Sequence, residues 1–132
     1  MRRTINPAAI APPLARYSHA VLTRIAGAEL LVTSGQLGVA PDGAVPADPE
    51  AQCVLVFESL AAILREAGMS FTDVIRFNGF VTDRAIFPVY GRVRARYVEG
   101  EDFASTLVVV SGFTRPEFMV EVEVTALRLA PS

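Results

Sequence analysis

The chain has a single histidine, His19, standing two residues after Tyr17. Histidine is the one side chain whose ordinary pKa lies near neutrality, so His19 could give or take a proton in a reaction. The competing reading is a hydrogen-bonded structural residue, the commoner role of a lone histidine on a strand. Tyr17 offers an aromatic wall and a hydroxyl, or simply a ring packed between subunits. Glu121 and Glu123 alternate with valines in Val120-Glu-Val-Glu-Val124, which puts both carboxylates on one side of a strand, as any half-exposed strand would. The single cysteine, Cys53, begins an apolar helical stripe and reads as a buried core thiol rather than a nucleophile. One histidine without a cysteine partner supplies no zinc-ligand set, and one cysteine supplies no internal disulfide. Neither a metal nor a cofactor is indicated. Arg84, Arg92, Arg94 and Arg96 crowd into one stretch and read most simply as the solvated face of a helix.

These groups must be positioned by regular elements. Residues 18–25 and 30–34 are β-branched and apolar and predict two strands joined by a short hairpin connection at residues 26–29. Pro41, Gly43, Pro46 and Pro49 mark a loop, and Asp48, Pro49 and Glu50 supply an N-cap, a first-turn proline and an early acid. Cys53, Val56, Phe57, Leu60, Ile63, Leu64 and Ala67 then form one helical stripe, which Gly68 ends. Residues 71–81 read as a third strand. Ile86, Tyr90, Val93 and Tyr97 mark a second helix with Pro88 in its first turn. Two strands, at 106–110 and 118–129, close the chain. The order ββαβαββ predicts an α+β fold with both helices on one face of a single mixed sheet. Val120, Val122, Val124 and Ala126 should pack under the helices. Leu107 and Val109 are expected on the open face beside the glutamates, a mixture poorly suited to bulk water that suggests self-association.

The 132 residues fit one domain, 1–132, with residues 1–16 as an N-terminal arm. Hydrophobic residues make up 52% and charged residues 20% of the chain, and mean hydropathy is +0.39, an apolar surplus that subunit contacts would absorb. No apolar run approaches the roughly 18 residues of a membrane span. Prolines interrupt the segment after Met1, Arg2 and Arg3 before a signal-peptide core can form, so a cytoplasmic location is expected. A formal charge of −2 gives no general attraction to nucleic acid.

Three segments carry a resemblance. Ala15-Arg-Tyr-Ser-His-Ala-Val21, Val32-Thr-Ser-Gly-Gln-Leu37 and the closing stretch from Phe103 through Val-Glu-Val-Glu to Ala126 are similar to the Rid family, the reactive-intermediate deaminases also called YjgF-type or endoribonuclease L-PSP proteins. The resemblance covers most of the chain and implies a chorismate-mutase-like fold. It also implies a homotrimer in which open sheet faces join into a barrel, with small carboxylates bound in three clefts between neighbouring subunits. In members that hydrolyse enamines and imines, an arginine clamps the substrate carboxylate with two parallel hydrogen bonds. Counting back sixteen residues from Glu121 puts Ser105 at that position, followed by Thr106 and Leu107, and a one-residue slip would put Thr106 there. Neither is a cation. Arg115, Arg76 and Arg16 are the candidates to fill the space. The resemblance gives Glu121 the part of holding the attacking water, since a carboxylate can accept a proton as water adds to an iminium carbon. It places Tyr17 beside the cleft and makes Gly35 the glycine that brings backbone close to the ligand, a strand bulge being the alternative for Gly35. His19 occupies a position often held by glutamine. Gly91 stands where many relatives carry an asparagine facing the cleft.

The resulting expectation is a Rid-like enzyme acting on an imine, an enamine or a related biosynthetic or catabolic intermediate in an inter-subunit cleft. Glu121 and His19 are its catalytic candidates, and Tyr17, Gly35, Ser105, Thr106, Leu107 and Arg115 its ligand-binding ones. Standard 2-imino-acid deamination is not expected, because an unclamped carboxylate loses binding energy and orientation. A non-catalytic ligand-binding trimer is the alternative. RNA cleavage or translation inhibition finds little support, because no aromatic-rich basic strand accompanies the slightly negative charge.

Overall fold

A computed structural model describes residues 1–131. Asp48 caps the first helix, α1 (Pro49–Glu66), by accepting the Ala51 amide at 3.0 Å, and Pro49 opens its first turn. The predicted stripe from Cys53 to Ala67 is buried along its whole length, and Gly68 leaves the helix at φ +74°. In the second helix, α2 (Ile86–Tyr97), Ile86, Tyr90 and Val93 are buried and Tyr97 is half-buried. Phe57 of α1 sits among the rings of Phe71, Phe77, Tyr90 and Tyr97, with centroid separations between 5.5 and 6.3 Å. That cluster fixes both helices against the same face of the sheet.

The sheet contains β1 (Arg2–Ile5), β2 (Ala20–Ile25), β3 (Ala28–Thr33), β4 (Gln36–Leu37), β5 (Val74–Val81), β6 (Ala104–Val109) and β7 (Val120–Leu129). Its order is β1-β2-β3-β7-β5-β6, with β4 attached to β7. Every pair is antiparallel except β5 with β6. Val120, Val122, Val124 and Ala126 of β7 are buried beneath the helices, as their alternation requires.

The structure departs from the sequence reading at several points, the short β4 among them. Part of the expected arm forms β1, which pairs with β2 from Arg2↔Thr23 to Ile5↔Ala20. Residues 71–73 make a 3₁₀ turn capped by Ser70 before β5 begins, because Ser70 and Asp73 satisfy each other's backbone amides. The final strands, expected to be adjacent, are separated by β5: a parallel β5-α2-β6 crossover lands β6 on the sheet edge and leaves the other side of β5 to β7. Leu107 and Val109 lie on the helix face and not the open one, Val109 opposite the buried Val81. Leu107 pairs with Gly79, where a Cβ would stand 2.7 Å from Leu107 Cδ1, so the glycine makes room for the leucine.

The open face carries Glu121, Glu123, Arg76, Asn78 and Thr106 beside the exposed apolar residues Val32, Val108 and Leu127. Asn78 donates to Glu123 at 3.2 Å, and Arg76 donates to Asn78 Oδ1 at 3.0 Å and to Thr106 Oγ1 at 3.1 Å. Among the described residues no helix is long and apolar enough to cross a membrane.

Candidate functional site

After β3 the chain leaves the β7 ladder at Ser34 and Gly35 and rejoins it as β4, with Gln36 opposite Val122 and Leu37 opposite Glu121. This step brings Gly35 onto the Glu121 side chain. A Cβ at position 35 would lie 2.5 Å from Glu121 Cδ and 2.7 Å from Oε1, so the carboxylate occupies the space that the missing side chain leaves.

Glu121 opens into a cleft of about 490 Å³ whose other walls include Leu14, Tyr17, Leu37, Phe113 and Arg115. Most of these walls are apolar. The Glu121 carboxyl is pushed above its ordinary pKa of 4.5, first by burial and then by the neighbouring negative charge of Glu123. Arg115 is the cation of the cleft. Its Nε donates to Glu117 Oε1 at 2.8 Å and its guanidinium lies 4.7 Å over the Phe118 ring, so its charge is largely committed within its own loop.

That loop, residues 111–119, is tied to α1 by Gln52. Gln52 is fully buried; its Nε2 donates to Pro46 O at 2.9 Å and Glu117 O at 2.7 Å, and its Oε1 accepts the Met119 amide at 2.9 Å. Sequence reasoning passed over Gln52. Its signal was a polar side chain at position 52, directly beside the start of an apolar stripe.

His19 is buried and both of its ring nitrogens are engaged by the chain itself. Nε2 lies 2.8 Å from the Ala11 carbonyl, which can only accept, so Nε2 carries the proton. Nδ1 then accepts from Gln36 Nε2 at 3.2 Å. The His19 backbone amide donates to Asn6 Oδ1 at 2.9 Å. His19 therefore pins residues 6–11 against the start of β2 and borders a small cavity of about 30 Å³ under the arm, with Tyr17 and Gly35.

Ser105, Thr106 and Leu107 do not join this cleft within one chain. Glu121 pairs with Phe80 and Ser105 with Phe77, one strand further out and on the opposite sheet face. Thr106 faces Arg76 on the open side. Arg16 is exposed and does not line the cleft. The side chain that reaches Ser105 is Arg94, whose Nη1 donates to Ser105 Oγ at 3.2 Å. The expected solvated face of α2 holds for Arg92 and Arg96, which reach Glu50 on α1 at 3.6 and 3.3 Å, but Arg94 turns inward because it stands one helical turn beyond the buried Tyr90.

Among the described residues no cluster of three or more histidine, cysteine or acidic side chains could hold a metal ion. The cleft's chemistry is that of a carboxylate of raised pKa against apolar walls, suited to accept a proton from water.

Comparison with known proteins agrees with the fold and the motifs. Protein DfrA of Myxococcus xanthus is 33% identical over 123 residues, covering 92% of this chain and 88% of that protein. Escherichia coli TdcF, which carries the provisional name of a reactive intermediate deaminase, is 35% identical over 71 residues, and that match spans 55% of its length. The crystal structure of RidA from Psychrobacter sp. PAMC 21119 superposes with a TM-score of 0.84 at 29% identity, covering 94% of this chain and 98% of the other. The structure of E. coli TdcF with bound serine superposes with a TM-score of 0.83 at 26% identity, covering 96% and 98%. The endoribonuclease L-PSP family profile matches residues 8–128, and the chain belongs to that family, the Rid family whose motifs surround Tyr17, Gly35 and Glu121.

Proposed function

We propose that this protein is a Rid-like enzyme that hydrolyses an imine, or an enamine after tautomerisation, in a cleft completed by a neighbouring subunit of a homotrimer. The observation that carries this reading is the Glu121 carboxylate, seated against Gly35 in an apolar-walled cleft and shifted toward neutrality by burial. Water held by Glu121 adds to the iminium carbon as the carboxylate takes its proton; return of the proton to nitrogen and collapse of the carbinolamine release ammonia and leave a carbonyl compound. No cofactor is required for that sequence. Tyr17, Gly35 and Arg115 border the ligand on this side. Ser105 and Leu107 lie on the helix face and Thr106 on the open face two strands away from Glu121, so in this reading these three meet Glu121 across a subunit boundary. The exposed Val32, Val108 and Leu127 on the open face supply apolar area for such a boundary. His19 serves by holding the arm that carries Leu14 and Tyr17, a role its two ring contacts support better than proton donation. With serine at the clamp position, small 2-imino acids are poor substrates. The protein works in the cytoplasm, on small molecules and not on membranes or RNA.

The test generates imines with an amino-acid or amine oxidase and follows their decay, with oligomeric state measured by light scattering. Turnover that disappears in Glu121→Gln supports the reading; hydrolysis that persists in Glu121→Gln, or a stable monomer at micromolar concentration, overturns it. A second reading, a non-catalytic ligand-binding trimer, is favoured by the engagement of His19, which leaves Glu121 as the one carboxylate among the described residues that lines this cleft. Ligand binding without turnover of any imine would select it.

A further inference from the structure

Arg94 is held unlike its neighbours on α2. Its guanidinium carbon lies 5.0 Å from the Phe103 ring centroid and 5.5 Å from that of Tyr90, and Nη1 is bonded to Ser105 Oγ at 3.2 Å. Phe103 is itself fixed edge-on against Phe77 at 5.1 Å. Among the described residues no carboxylate lies within ion-pair distance of Arg94, whereas Arg92 and Arg96 share Glu50 and Arg115 takes Glu117. A half-buried guanidinium is thus fixed in place by two ring faces and one hydroxyl, with most of its five N–H groups uncommitted and no counter-charge. Ser105 accepts from Arg94 and so keeps its own O–H to give. Gly91, three residues back on the same helix face, has no atom within 4 Å of the point where a side chain would begin, which leaves the space beside the fork open.

We infer that Arg94 and Ser105 form an anion-binding pair that takes the carboxylate end of a small organic ligand, the guanidinium fork coming from α2 and a hydroxyl donor from β6. This deepens the function proposed above by naming the group that holds the ligand's anionic end, and it rests on that reading only for the use made of the bound ligand. The cation stands beside position 105 without being encoded there. Because it approaches from the helix and already spends one donor on Ser105, it restores carboxylate binding without restoring the alignment that a strand-borne arginine gives to a small 2-imino acid.

The test is an NMR titration of the whole chain with propanoate and with propanamide, its neutral isostere. Propanoate should move signals from α2 and β6 while propanamide does not. Arg94→Ser should weaken propanoate binding by roughly tenfold to a hundredfold, the range for losing a charged hydrogen-bond partner. The double variant R94S/S105R, which returns a guanidinium to the same place from the strand at unchanged net charge, should recover it. Propanoate binding that is unaltered in Arg94→Ser, or propanamide bound as well as propanoate, overturns the inference. Propanoate is not turned over, so this result stands or falls independently of whether Glu121→Gln abolishes imine hydrolysis.

Discussion

Replacing Gly35 by alanine separates the position of the Glu121 carboxylate from the stability of the fold. Gly35 is not among the glycines of positive φ, which are Gly43, Gly68 and Gly100, so alanine can adopt its backbone conformation. The added Cβ would stand 2.5 Å from Glu121 Cδ, 2.6 Å from Cγ and 2.7 Å from Oε1, and ordinary contact begins at 3.4 Å. The carboxylate must therefore retreat by about 1 Å, a misplacement on the order of a 100-fold loss when the displaced group acts on the reacting atoms. The atoms that must move form the far end of a flexible side chain, so the cost to folding is that of an off-rotamer glutamate, about 0.5–1.5 kcal/mol. Imine decay under a coupled oxidase, beside urea unfolding, gives both quantities. Gly38→Ala is the contrasting variant, because its Cβ would lie 2.8 Å from the Gln52 Cα of α1, backbone that cannot rotate away. It should cost about 1–3 kcal/mol or more through overpacking. Wild-type turnover in Gly35→Ala, with Glu121→Gln inactive, would refute the idea that Gly35 sets the carboxylate; a stability loss equal to that of Gly38→Ala would make Gly35 a packing residue instead.

Gln52→Ala should lower stability by about 2–4 kcal/mol, since it removes a fully buried side chain and strands two part-buried carbonyls and one amide, and a loss under 1 kcal/mol in denaturant titration would contradict the bridging role given to it. The raised pKa of Glu121 makes the folded chain bind more protons than the unfolded one between pH 4.5 and the folded value. Its contribution to stability is thus full below pH 4.5 and is lost as pH rises through the folded pKa, so the wild type should weaken relative to Glu121→Gln across that window, and parallel stability curves would exclude the shift. Burial first, and then the charges of Glu50 and Asp48, push the Cys53 thiol up to about 11. At pH 8 only about a thousandth of it is thiolate, so Cys53 should resist thiol reagents until the chain unfolds, and rapid labelling of the native protein would show that α1 opens.

The sequence by itself determined both helices, their buried stripes and the buried face of β7. Period and capping are local properties: Asp48, Pro49 and the Cys53 to Ala67 stripe specify α1 with few alternatives, and the valine alternation of β7 assigns its buried side wherever the strand lies. Tyr17, Gly35 and Glu121 were legible as a group because their motifs resemble a family. Tertiary structure decided what depends on strand order and on contacts between segments far apart in the chain. Strand order placed β5 between β6 and β7, which removed Ser105 from the neighbourhood of Glu121 and turned Leu107 toward the helices. The folded arm brought the Ala11 carbonyl to His19, and no local pattern encodes that engagement. The crossover from β5 through α2 set Arg94 over Phe103 and against Ser105, although 11 residues separate arginine and serine in the chain. Hydrophobic period reports which way a side chain points from its own element. It carries no information on which polar group another element will place in front of it, and that pairing decides whether an arginine is solvated or poised for an anion.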